Sequence, residues 1–165
     1  VMSATDILLA LINADNPNRR PIKKESVTFS APVAVAGEGW NTKVTVRSVP
    51  GKGYEGDVDV TYHRVELTEL GHAALLSDAQ FTPEMVIELI NELKGTLLTL
   101  DDVEPFTVPV LDVGEFREVK LTIKSDSFGW TGEAYVEILF GLPTLINELH
   151  QLVTFTMPSN GYLTR

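Results

Sequence analysis

Between residues 42 and 62 apolar and polar side chains alternate in two runs. Val44 and Val46 flank Thr45, and later Val58, Val60 and Tyr62 alternate with Asp57, Asp59 and Thr61. A period of two with one apolar face predicts two half-buried strands of an antiparallel hairpin. The pattern returns further along, where Leu121 and Ile123 are followed by Ala134, Val136 and Ile138, with Glu133 and Glu137 on the opposite face. Other stretches follow the helical period. Ser3 suits an N-cap with Asp6 in the first turn, and Ile7, Leu8, Leu11 and Ile12 are expected on the buried side. A second helix is marked more sharply. Thr82 suits the N-cap, Pro83 the first helical position and Glu84 the positive end of the helix; Val86, Leu89, Ile90 and Leu93 form the expected apolar stripe, and Gly95 ends it. Each helix precedes a strand candidate, SVTFSAPV at 26–33 or EPFTVPVL at 104–111. Pro32 and Pro109 each remove a ladder donor, which predicts sheet edges or strand ends. The segment TELGHAALL at 68–76 reads as small and helix-like.

The two sets of elements resemble each other in sequence. ILLALIN at 7–13 matches MVIELIN at 85–91, pairing Leu11 with Leu89, Ile12 with Ile90 and Asn13 with Asn91. In the same order, APV at 31–33 answers VPV at 108–110, Gly37-Glu38 answers Gly114-Glu115, VTVRS at 44–48 answers LTIKS at 121–125, and GYEGDVDVTY at 53–62 answers GWTGEAYVEI at 129–138. Matches in a conserved order whose spacing drifts only at loops predict a tandem duplication. The expected fold is α+β: two similar units at 1–77 and 78–142, each a helix followed by a small, mostly antiparallel sheet with a long hairpin, then a C-terminal arm at 143–165. A shorter echo, LINELH at 145–150 and VTFTMP at 153–158, falls in that arm. There Val153, Phe155 and Met157 alternate with threonines as a strand that either completes an edge within the chain or is given to a neighbour, with a neighbour or shared interface favoured, and Tyr162 and Leu163 form a small anchor.

Composition changes the picture mainly through charge. The 165 residues are 44% hydrophobic and 22% charged, which suits a folded chain, and carry a formal charge of −10. Residues 1–80 hold 8 basic and 10 acidic side chains, residues 81–165 hold 5 and 13. Direct nucleic-acid binding then needs a local exception. NPNRRPIKK at 16–24 is one candidate, but it has no interleaved aromatics and lies around Pro17 and Pro21, so it reads as a solvated connection. There is no cysteine, and ILLALI is far shorter than a membrane span.

Candidate chemistry is sparse. GKGYEG at 51–56 carries three glycines and a lysine, but lacks the GK[ST] ending of a phosphate loop and leads into a strand. The second unit drops the lysine, so the expectation is a bend. Gly53 and Gly129 are expected at positive φ, Gly56 and Gly132 at a bulge, and Tyr54 and Trp130 over one end of each sheet. His63, His72 and His150 are scattered, Asp57 and Asp59 form a strand-surface row, and DDVE at 101–104 lacks the glycine and spacing of a calcium loop. The expectation is a noncatalytic protein with no cofactor and no metal, whose candidate interface residues are Tyr54, Trp130, Val153, Phe155, Met157, Tyr162 and Leu163.

VTFSAPV at 27–33 and TVRSVPGKGYEGDVDVTYHRVEL at 45–67, preceded by LLALIN at 8–13, resemble small structural proteins in the particles of large tailed bacteriophages. The resemblance covers mainly residues 3–70, more weakly the second unit, and not the segment from Leu142. It implies a virion component of capsid, neck or tail, assembled in the host cytoplasm, whose partners are other virion proteins or copies of itself, with no direct nucleic acid and no membrane. It implies no catalytic residues. The alternative reading is a carbohydrate- or peptide-binding module, with a small enzyme behind it.

Overall fold

The computed structural model describes residues 2–141. It is an open α+β fold with two helices, α1 (Ala4–Asp15) and α2 (Pro83–Lys94). The strands are β1 (Val27–Phe29), β2 (Val33–Ala34), β3 (Thr42–Ser48), β4 (Asp57–Tyr62), β5 (Val65–Glu66), β6 (Ala74–Ser77), β7 (Phe116–Thr122), β8 (Trp130–Thr131) and β9 (Glu133–Phe140).

The N-terminal sheet is antiparallel and centred on β3. One side of β3 pairs with β4, setting Val44 opposite Val60 and Val46 opposite Val58. Its other side is shared end to end by β1 and β2, with Pro32 between them. Val44 and Val46 are buried, as their alternation predicts.

The C-terminal sheet is built differently. β9 lies at its centre, antiparallel to β7 and parallel to β6, and β5 pairs with β8 in a separate parallel ladder. Residues 65–77 thus contribute β5 and β6 to sheets formed with β8 and β9. Leu121 and Ile138 are almost fully buried and, with Leu75, Val86, Ile87, Ile90, Val119 and Val136, make the main core. Removing each large aliphatic side chain from water contributes roughly 1.5–3 kcal/mol.

Several sequence expectations need correction. On α1 the buried pair is Leu8 and Leu9, while Ile7 and Leu11 are exposed. Asp6, Leu9 and Asn13 share a face at i, i+3 and i+7. Asp6 pairs with Lys24 at 2.6 Å and Asn13 binds Ile22, so these polar contacts set the rotation of the helix. The same logic brings Ile87 into the α2 core and leaves Leu93 54% exposed, because Asn91, one turn beyond Ile87, must face Leu98. The caps of both helices agree with the sequence: Ser3 and Asp6 form a reciprocal box, Thr82 accepts from Met85 N–H, and Gly95 ends α2 at φ 66°.

EPFTVPVL does not become a strand. Val103 bridges Ile123 and Glu104 donates to Thr122, but Pro105 has no N–H with which to continue the ladder. Phe106 and Val108 pack on the core instead. TELGHAALL is a short 3-10 turn, Leu67–Leu70, broken by Gly71 at φ 71° and followed by strand β6. Gly53, Gly56 and Gly132 take positive φ, but Gly129 does not. Its carbonyl accepts from Val65 N–H at the start of the β5–β8 ladder, which needs ordinary extended backbone.

Candidate functional site: a basic groove

The segments NPNRRPIKK and GKGYEG, about thirty residues apart in sequence, are neighbours in space. Together they line a groove of about 490 Å³ whose walls carry Arg19, Arg20, Lys23, Lys52 and Tyr54.

The first wall is the loop leaving α1. Asn13 Nδ2 donates to the Ile22 carbonyl at 3.0 Å, and Ile22 N–H donates to Asn13 Oδ1 at 2.8 Å. One carboxamide thus imitates the two hydrogen bonds of a β-bridge and pins the loop between Arg20 and Lys23. The Lys24–Asp6 ion pair ties the far end of the loop to the first turn of α1. The Lys24 ammonium, with the Ser3 hydroxyl and N–H, holds the Asp6 carboxyl down at about 2.

The second wall is the bend between β3 and β4. Gly53 and Gly56, at φ 96° and 79°, allow a reversal that a β-carbon would strain. The bend is therefore the turn that the sequence predicts, but it also forms one side of a surface. Buried Ser26 joins the walls: its hydroxyl donates to the Lys52 carbonyl at 3.0 Å, and its own carbonyl accepts from Val49 N–H at 2.9 Å.

The electrostatics distinguish this groove from the rest of the surface. Lys24, Lys43, Arg47, Arg117 and Lys120 each pair with a carboxylate, and Lys94 donates to the His72 carbonyl. Arg64 is buried, donating from Nε to Thr42 Oγ1 at 2.8 Å and from one terminal nitrogen to the carbonyls of Ser125 and Ser127. Among the described residues only five lysines and arginines have no side-chain partner of either kind, and four of them, Arg19, Arg20, Lys23 and Lys52, line the groove; the fifth is Lys124. Glu25 also lines it without neutralising any of the four. On an acidic chain, a concentration of unpaired cations is a local reversal of field that attracts anionic groups.

The predicted interface residues separate. Tyr54 lies in the groove and is 37% exposed. Trp130 is half-buried in β8, against the main core, and does not share the environment of Tyr54. Val153, Phe155, Met157, Tyr162 and Leu163 lie outside the described residues. The groove itself was not legible: each basic segment is visible in the sequence, but their adjacency depends on the Asn13 clamp and the Ser26 bridge. The sequence signal that remained was that these two segments hold five of the eight cations in the first 80 residues.

Other places offer less. A second cavity, between Leu67, Leu70, Ile90 and Leu121, has room for about one water molecule at 20 Å³. Burial pushes the Tyr62 hydroxyl up to about 12, and it has no hydrogen-bond partner among the described residues. No group of three His, Asp or Glu side chains suited to a metal ion occurs among the described residues, and no helix there is long and apolar enough to cross a membrane.

Fold and groove define an open α+β protein with a cationic surface groove. Residues 2–160 match DUF7941, a family of unknown function, and the chain belongs to that family. No curated protein and no solved structure matches it.

Proposed function

We propose that this protein is a noncatalytic assembly component whose basic groove docks an acidic protein surface. The observation that carries this reading is the set of four cations left without carboxylates on a chain of charge −10. A surface of this kind gives orientation and fast encounter, with affinity coming from the apolar contacts beside it. Tyr54 supplies one such contact. The resemblance of residues 27–33 and 45–67 to tailed-phage structural proteins supports a virion setting, in which symmetric repetition lets individually weak contacts suffice. A chain of this type would join the particle in the host cytoplasm and act on other virion proteins or on its own copies.

The finer architecture belongs to the same proposal: two units descended from one duplicated helix-and-hairpin. Asn13 and Asn91, aligned in the sequence repeat, support it by making the same two-bond clamp on the chain that follows their helices, to Ile22 and to Leu98.

A peptide- or carbohydrate-binding module is the second reading, favoured by the exposed ring of Tyr54 in the groove. Mass spectrometry of purified phage particles, joined to native mass measurement and glycan screening of the isolated chain, tests the two. Particle incorporation or stable complexes support assembly. Saturable glycan binding by an isolated monomer that forms no complex overturns it.

A further inference from the structure

We infer that the occupant of the basic groove is the outer face of α2 from a second copy of this chain. This inference rests on the assembly reading above and names the partner of the same site.

The two surfaces are complementary in charge, and the fold holds each in place. On α2, Glu84, Glu88 and Glu92 recur every fourth residue and are all exposed. At 1.5 Å rise per residue, their carboxylates form a row of roughly 12 Å with about 6 Å between neighbours. None has an ion pair among the described residues. The row projects outward by construction, because Val86, Ile87 and Ile90 anchor the opposite side of the helix in the core. Met85, Leu89 and Leu93 run alongside at the same spacing, and Leu93 is 54% exposed. The helix therefore presents a line of carboxylates beside an apolar ridge. The groove presents four cations beside an exposed tyrosine. In the docked arrangement the carboxylate row faces Arg19, Arg20, Lys23 and Lys52, and Leu93 packs on the ring of Tyr54.

A long polyanion fits this surface less well. It would run beyond the four cations, and the net charge of −10 would oppose it along its whole length. Repulsion between two acidic copies is spread over their surfaces and is largely screened beyond about 10 Å at 0.1 M salt, while the groove contact is short-ranged. Because groove and helix are different patches, the contact is head-to-tail and propagates as a ring or filament.

Charge reversal on the full chain tests this. Lys23→Glu with Lys52→Glu inverts the groove, and Glu88→Lys with Glu92→Lys inverts the row. Glu84 is left in place because it stabilises the N-terminus of α2. All four sites are exposed, and circular dichroism checks that each variant remains folded. Sedimentation velocity follows oligomer mass over a concentration series. The wild type is expected to self-associate at about 50 mM salt and to dissociate at about 500 mM. Each double variant alone is expected to remain monomeric, and an equimolar mixture of the two is expected to associate again, since each then carries the complement of the other.

Association that survives both reversals, or a mixture that stays monomeric, overturns the α2 contact while leaving assembly through another surface intact. A wild type that remains monomeric throughout overturns the inference as well, and heterologous particle association then decides the broader reading separately. A fluorescent oligothymidylate is included: saturable binding lost on groove reversal, without groove-dependent self-association, assigns the groove to a phosphate polymer and overturns the inference.

Discussion

The N-terminal and C-terminal sheets begin from similar sequence and arrive at different structures. Both follow a capped helix, and both contain a hairpin with one apolar face. In the first, β3 is central and antiparallel strands flank it; in the second, β9 is central because β6 adds to it in parallel. That extra strand gives α2 a surface to cover, and the main core of fifteen buried residues lies entirely between Leu67 and Ile138. Near α1 and β3 the buried apolar side chains are Leu8, Leu9, Val44 and Val46. Similar local patterns therefore specify similar local elements, but the partner strand decides how much core each supports. The groove follows the same division: its cations lie on the N-terminal region, with its thinner core, and the acidic helix lies on the better-packed one.

The two regions are tied by a small set of contacts. Arg64, whose backbone is held by the Asn41 carboxamide at 2.8 and 2.9 Å, reaches across to the carbonyls of Ser125 and Ser127, and the rings of Phe29 and Phe128 meet edge to face at 6.3 Å. Replacing Arg64 with alanine is expected to have the largest effect. It leaves buried acceptors without their donor and opens a cavity, for a loss of about 3 kcal/mol or more in urea denaturation. Arg64→Lys should recover little, because an ammonium cannot reproduce the fork. A shift in either variant below about 1 kcal/mol would mean that the regions are joined elsewhere.

The difference in core can be measured directly. Leu121→Ala should cost about 3–5 kcal/mol and Leu8→Ala about 2–3, since the first leaves a cavity enclosed on more sides. Equal losses would remove the contrast between the sheets. The shared clamp sharpens the comparison from the other direction. Asn13→Ala and Asn91→Ala should each cost about 1–2 kcal/mol, because each strands one donor and one acceptor. Hydrogen exchange should report opening at Ile22 in the first variant and at Leu98 in the second. A clamp that matters in one region but not the other would count against a common origin.

The smallest expected effect is pH-dependent and belongs to the N-terminal region. Asp6 titrates at about 2 in the folded chain, below its ordinary value of 3.8. Its contribution is therefore present above about pH 4 and is lost as the pH falls toward 2. Carboxyl NMR titration checks the midpoint, and Lys24→Ala should return it toward the ordinary value. A midpoint already ordinary in the wild type would show that the Lys24 contact does not persist in solution.

Legibility in the sequence followed the range of the interaction. The caps at Ser3 and Thr82, the end at Gly95 and the buried face of the second hairpin depend on residues close in sequence, and they agree with the structure. In the first hairpin Val44 and Val46 are buried as expected, but Val58 is 59% exposed because no further layer covers that end of β4. The parallel β6–β9 ladder joins Ala74 to Glu137, and nothing local to either segment announces it. The failure of EPFTVPVL as a strand was written in Pro105, next to the last ladder bond. The helix rotations went unread because they depend on where Asn13 and Asn91 find partners, which a periodicity of apolar residues does not encode.

The same β6–β9 ladder has a consequence for the order of events at the ribosome. β6 emerges early, but its partner is made roughly sixty residues later, several seconds at about 5–20 residues per second. The N-terminal hairpin can close from contiguous chain while β6, Leu75 and α2 wait without their central strand. Closing that long interval is slow compared with forming a local hairpin. The region with the larger core is thus the later one to be completed, and during synthesis its apolar segments are those most open to the wrong neighbour.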